Sequence, residues 1–352
     1  MALLVDRWHM RWQKLFGFCL LTLGMLLFCG GWAPEREASS AKQVEKAGAV
    51  WATKPITLPS KGHLPLQLPC HKWYGLLVVQ AEFPGHQLLN CGLDTAMNAC
   101  AVPPLTVLRL KLPNPSGDVH VQRLWQELHA PTTEIPSVSF GTLQIAPLQV
   151  VQLDVLQMLS PEIALSSADA PVCWLGGPFL SAFQVTINAE QEFLKLELPN
   201  APLPKGRGAV VVPMKLRNGC PEVMVSLPKS PPFPALVDLT APISIIPTKV
   251  AETLKLQPLE SLLCVGTDGK PYRLTRAIAP RLSVGKAGVD KLDVSFLQPP
   301  LALPGQTKPE TASSPLESEA VLGRNFLDRY QLTLNYARGQ IELIPLPHEQ
   351  AK

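Results

Sequence analysis

The chain has 352 residues, 31 Lys and Arg against 28 Asp and Glu, a net charge of +3, and 46% hydrophobic residues. Nearly balanced charge leaves no basic or acidic tract for a nucleic-acid partner, and the hydrophobic content excludes a disordered chain. The 37 prolines amount to about 10% of the chain, roughly twice average usage. Each Pro inside a helix removes a hydrogen bond, so a helical bundle is excluded and an all-β fold of short strands and many turns is expected.

The pattern begins with Arg7, Arg11 and Lys14 before an apolar run from Leu15 to Trp32. A basic flank and an apolar run of that length predict an export signal or an N-terminal membrane anchor over residues 1–33, with a helix in the membrane and the rest of the chain outside the cytoplasm. Pro34 disfavours cleavage after Ala33, which points to retention of the anchor. Residues 34–68 are polar, then Pro-rich, and read as a linker. From there short apolar runs alternate with Pro, Gly and Asn: Gly75–Gln80, Val210–Pro213, Val223–Leu227 and Gln331–Asn335. Period-two alternation predicts half-buried strands. Thr248–Leu256 is the best helical window, and Pro299–Glu319 reads as an exposed loop.

Six cysteines lie beyond the apolar run: Cys70, Cys91, Cys100, Cys173, Cys220 and Cys264. Outside the cytoplasm they are free to form disulfides, and the spacing selects no pairing. None is spaced for zinc. The seven histidines form no i, i+4 pair; His120 and His129, nine apart, read as surface residues, and no metal or organic cofactor is expected.

An internal repeat is the most informative feature. Asn90–Pro103 aligns with Pro234–Pro247, placing Asp94 opposite Asp238 at an offset of 238 − 94 = 144. Phe140-Gly141 aligns with Val284-Gly285 at the same offset. Cys173–Leu180 aligns with Ala320–Leu327, placing Gly176 opposite Gly323 at 323 − 176 = 147, an offset that continues through Val185/Leu332 to Leu196/Leu343. The chain therefore divides into two similar β-rich lobes, 69–200 and 208–347, joined by a linker at 201–207. One Asp per lobe, each after an apolar strand, suggests two carboxylates meeting across a pseudo-twofold axis. Such a pair shares one proton and can activate a water.

Ala320–Leu327 followed by Leu332–Asn335, with Leu236-Val237-Asp238 before Ile245–Pro247, resembles the retropepsin-type aspartic proteases. The resemblance spans about 260 residues in both lobes and implies a single-chain, pepsin-like bilobal fold of two β-barrel lobes. It implies catalysis by Asp94 and Asp238, peptide or protein substrates, and no metal. The family loop reads Asp-Thr/Ser-Gly; here the loops read Asp94-Thr95-Ala96 and Asp238-Leu239-Thr240. By the resemblance Thr95 braces the two loops and Leu239 cannot return the bond. A side chain at Ala96 or Thr240 intrudes where the family has Gly, and Thr240 is strained if that backbone is left-handed. Gly176 and Gly323 are expected beneath the loops. A covering hairpin is expected at Pro113–Asp118 in the first lobe and around Asp268, Gly269 and Tyr272 in the second, where Asp-Gly is a hairpin signal. No other catalytic signature is present.

The expected protein is an exported, membrane-anchored, monomeric aspartic endopeptidase. The alternative is a catalytically inactive protein of the same fold, binding peptide or serving a structural role in the cell envelope.

Overall fold

In the computed structural model, residues 51–58, 64–124, 126–156, 169–265, 271–298 and 318–347 are described. The expected membrane helix and most of the expected loop at 299–319 lie outside these residues. The described chain is mostly strand with four short helices, an all-β fold in two sheets.

The first unit runs β1 (Leu66–Trp73), β2 (Leu76–Phe83), β3 (Gln87–Leu93), β4 (Ala101–Val102), α1 (Pro104–Arg109), β5 (Ser116–Arg123), β6 (Gln126–Ile135), β7 (Val138–Phe140), β8 (Leu143–Ile145), β9 (Leu148–Gln152), β10 (Cys173–Leu175), α2 (Gly177–Leu180), β11 (Gln184–Asn188) and β12 (Phe193–Glu197). The second runs β13 (Val210–Pro213), β14 (Lys215–Arg217), β15 (Cys220–Ser226), β16 (Phe233–Val237), β17 (Ser244–Ile245), α3 (Thr248–Thr253), β18 (Glu260–Val265), β19 (Pro271–Val284), β20 (Ala287–Gln298), β21 (Val321–Leu322), α4 (Arg324–Leu327), β22 (Tyr330–Asn335) and β23 (Gln340–Pro345).

The repeat in the sequence is a repeat of these elements. Helices α1 and α3 are offset by 144 at both ends, and α2 and α4 by 147. In the first unit β3 lies parallel to β10, which is antiparallel to β4, which is parallel to β9. In the second, β16, β21, β17 and β20 repeat that order and those directions. Burial explains the composition of these strands: β10 is Cys-Trp-Leu and fully buried, and β16 ends on three buried residues, Ala235, Leu236 and Val237. Strands covered on both faces read as continuous apolar runs rather than alternating ones.

The two units join through β11 and β22, which pair antiparallel with Thr186 opposite Thr333. Because 333 − 186 = 147, the repeat offset, that pair stands on the pseudo-twofold axis, and the two hydroxyls are 3.0 Å apart. β12 and β1 extend this sheet on one side, β23 and β13 on the other. The main hydrophobic core draws on both units, and a smaller cluster of Trp73, Val78, Met97, Val121, Ala130 and Trp174 lies under the β5–β6 hairpin.

The five described free cysteines, Cys70, Cys91, Cys100, Cys173 and Cys220, are all buried as thiols, so none forms the disulfide the sequence allowed. Burial pushes the Cys70 thiol up to about 11 and the Cys100 thiol up to about 12, which makes them poor nucleophiles.

Gly176 and Gly323 cap α2 and α4 against the chain that follows each aspartate. A Cβ at Gly176 would strike the Ala99 carbonyl and stand 2.8 Å from the Met97 oxygen; at Gly323 it would stand 2.6 Å from the Ile243 oxygen. Both collisions are with backbone, which cannot swing aside. Gly176→Ala and Gly323→Ala are each expected to cost about 1–3 kcal/mol through overpacking, read as a lower denaturation midpoint. An unchanged midpoint would contradict this packing.

Candidate functional site

Strands β3 and β16 deliver the two aspartates. Asp94 follows β3 and donates its backbone N–H to the Leu175 carbonyl at 3.1 Å; Asp238 follows β16 and donates to the Leu322 carbonyl at 3.1 Å. The loops are also held equivalently from outside, by Gly177 N–H to the Met97 carbonyl and Arg324 N–H to the Ala241 carbonyl, both 2.8 Å. Asp94 and Asp238 are 0% and 1% exposed.

The loops touch through Thr95. Its hydroxyl donates to the Val237 carbonyl at 2.6 Å and accepts the Leu239 N–H at 3.1 Å. The side chain of Leu239, the equivalent residue, is buried and apolar and has no hydroxyl to return the bond. The brace is one-sided.

The carboxylates differ in their partners. Asp94 Oδ1 accepts the Ala96 N–H at 3.0 Å. Asp238 Oδ1 accepts both the N–H and the hydroxyl of Thr240, each at 2.7 Å. Neither Ala96 nor Thr240 has a positive φ, so the condition under which Thr240 would be strained is not met; its hydroxyl is a hydrogen-bond partner of the carboxylate. Asp238 Oδ2 is buried and has no partner among the described residues.

Arg123, at the end of β5, completes the cluster. Its Nε donates to Asp94 Oδ2 at 2.9 Å, with side chains 4% and 0% exposed. Its Nη2 donates to the Thr240 hydroxyl at 3.2 Å. A continuous chain of bonds thus runs Asp94–Arg123–Thr240–Asp238 through the interior. Burial, then the Asp94 charge, raises the Asp238 carboxyl above the usual carboxylate range, and Arg123 and the Thr240 bonds oppose that rise. The Cys220 thiol and the Tyr336 phenol, both buried, are likewise raised, burial acting first and Asp94 contributing.

The hairpin reaches the site through backbone bonds. Leu124 N–H donates to the Ala96 carbonyl at 2.7 Å, and Asn98 N–H to the Gln122 carbonyl at 3.0 Å. The expected covering segment, Pro113–Asp118, is therefore corrected: Ser116 pairs with Thr132 at the far end of the hairpin, and the turn over the site follows Arg123. Asp268 and Gly269 lie outside the described residues, as does the side chain of Tyr272, whose backbone belongs to β19. Sequence reading passed over Arg123. The available signal was period two: Val119, Val121 and Arg123 share one face of β5, and Val121 is buried, so a charge at the next inward position needed a buried partner. Among the described residues no group of three or more His, Cys, Asp or Glu is arranged to hold a metal ion.

Removing one member of a buried ion pair leaves the other uncompensated. Arg123→Met is expected to cost about 3–5 kcal/mol, and adding Asp94→Asn to recover most of that loss, measured by a double-mutant cycle of denaturant unfolding. A second expectation concerns pH. The folded Asp238 binds its proton more tightly than the unfolded one, whose reference value is 3.8. Its contribution to stability is full below that value and is lost as pH rises through the raised folded value. Asp238→Asn should remove that part of the decline in melting temperature; parallel curves for variant and wild type would contradict it.

No protein-family model matches the chain, and no curated protein matches it. Among solved structures, the crystal structure of basic 7S globulin from soybean aligns at 11% identity over 85% of this chain and 98% of that chain, with a TM-score of 0.44.

Proposed function

We propose that this chain is a two-lobed protein of the aspartic-protease-like fold, carried outside the cytoplasm on its N-terminal apolar segment, in which the aspartate pair is closed by Arg123 and does not hydrolyse peptide bonds. It serves as a binding or structural module of the cell envelope. The observation that carries this reading is the Arg123–Asp94 ion pair at 2.9 Å, tied onward to Thr240.

The chemistry follows from charge. An aspartic peptidase needs two carboxylates sharing one proton, so that one takes a proton from water while the other protonates the substrate carbonyl. Arg stays protonated at any working pH and cannot relay that proton. It also holds Asp94 Oδ2 in a charge-assisted bond, which removes the base. Burial and the Asp94 charge raise the Asp238 carboxyl against ionisation, so neither carboxylate is left free to activate water. The repeated elements and the pair at the ends of equivalent strands support the fold reading; Leu239 and Thr240, in place of the family residues, support loss of activity.

The aspartic-endopeptidase reading has one observation in its favour. Both aspartates are present, and Asp238 Oδ2 lacks a partner among the described residues, as an oxygen would that takes up water once the hairpin lifts. The full chain should leave a peptide library intact from acid to neutral pH. Cleavage by wild type that Asp94→Asn abolishes would overturn the silent reading and establish the peptidase.

A further inference from the structure

We propose that His120 and His129 form a two-histidine site for a divalent transition-metal ion of the imidazole-preferring kind, such as zinc or nickel, on the outer face of the β5–β6 hairpin. The two residues are register partners across the hairpin, His120 on β5 and His129 on β6. Alternation along the strands puts Asp118, His120 and Gln122 of β5 on one face, with Pro131, His129 and Glu127 of β6 opposite them. The other face carries Val121 and Arg123 inward. Residues nine apart in sequence thus become neighbours only through the register.

The separation of the rings fits a shared ion. A metal–nitrogen bond of about 2.0–2.1 Å, extended by about 1.1 Å to the ring centre and doubled across a tetrahedral angle, puts two imidazole centroids about 5 Å apart. The observed centroids are 5.2 Å apart with planes inclined by 58°. Glu127 Oε2 lies 3.4 Å from His120 Nε2. A carboxylate on one ring nitrogen fixes the tautomer and leaves the other nitrogen to bind metal, the usual arrangement behind a metal-bound His. The side chains of His120 and Glu127 are 51% and 64% exposed, and His129 is exposed, so water completes the coordination.

An ion here joins β5 to β6 three residues before Arg123. It stabilises the closed hairpin in proportion to ln(1 + [metal]/Kd), and so holds the Arg123 cap on the aspartates. Both imidazoles must be neutral to bind.

The test uses the full chain, purified without a polyhistidine tag, titrated with zinc alone and with nickel alone. One ion per chain is expected, with a raised melting temperature and slower amide exchange in β5 and β6. His120→Asn and His129→Asn should each abolish all three effects, and Glu127→Gln should weaken binding by about tenfold. An unchanged melting temperature of the metal-free variants verifies that they fold. Equal binding in either His variant, or no response of wild type to either ion, would overturn the site. Neither outcome depends on whether the chain cleaves peptides.

Discussion

Two carboxylic acids at the ends of equivalent strands must both be buried where the two repeated units meet, and this is the constraint around which the molecule is arranged. Both ionised, they would repel in a medium far less polarisable than water. The chain resolves this asymmetrically. Asp94 is paired with Arg123, while burial and the Asp94 charge raise the Asp238 carboxyl, whose Oδ1 is held by Thr240. A symmetric backbone thus carries an asymmetric charge distribution, and the asymmetry comes from one hairpin.

That arrangement depends on the frame behind it. The β11–β22 seam sets the axis at Thr186 and Thr333, and Gly176 and Gly323 let α2 and α4 approach the loops within backbone contact. Thr95 crosses between the loops, while the apolar cluster of Val121, Met97 and Trp174 seats the hairpin that brings Arg123. A further strap comes from residues 51–56: Ala52 and Ile56 donate backbone bonds to Asn98 and Pro178, and the Trp51 ring lies against Gly177, Gly219 and Tyr336, spanning both units.

What the sequence made legible was what repeats. Asp94 and Asp238, Gly176 and Gly323, and the paired short helices stand at fixed offsets, and an offset survives in a single sequence as spacing. The brace at Thr95 was legible only through the family resemblance, and its one-sidedness because its equivalent, Leu239, has no hydroxyl. The partner of Arg123 and the His120–His129 pair were not legible, since each depends on a register formed only when β5 meets β6 and the Ala96–Asn98 segment. A helical-spacing criterion for histidines is blind to partners across a hairpin. The role of Thr240 was open for a different reason: a substitution for Gly implies strain only where the backbone is left-handed, and here it is not.

The most direct test of the closed aspartate pair is the carboxyl-carbon titration of Asp238 by NMR in the full chain, in wild type and in Arg123→Gln. The account predicts that Asp238 titrates above the ordinary carboxylate value of about 3.9 in wild type. It predicts a further rise in Arg123→Gln, because the guanidinium now lowers it. An Asp238 that titrates in the ordinary range and does not respond to the loss of Arg123 would contradict the account.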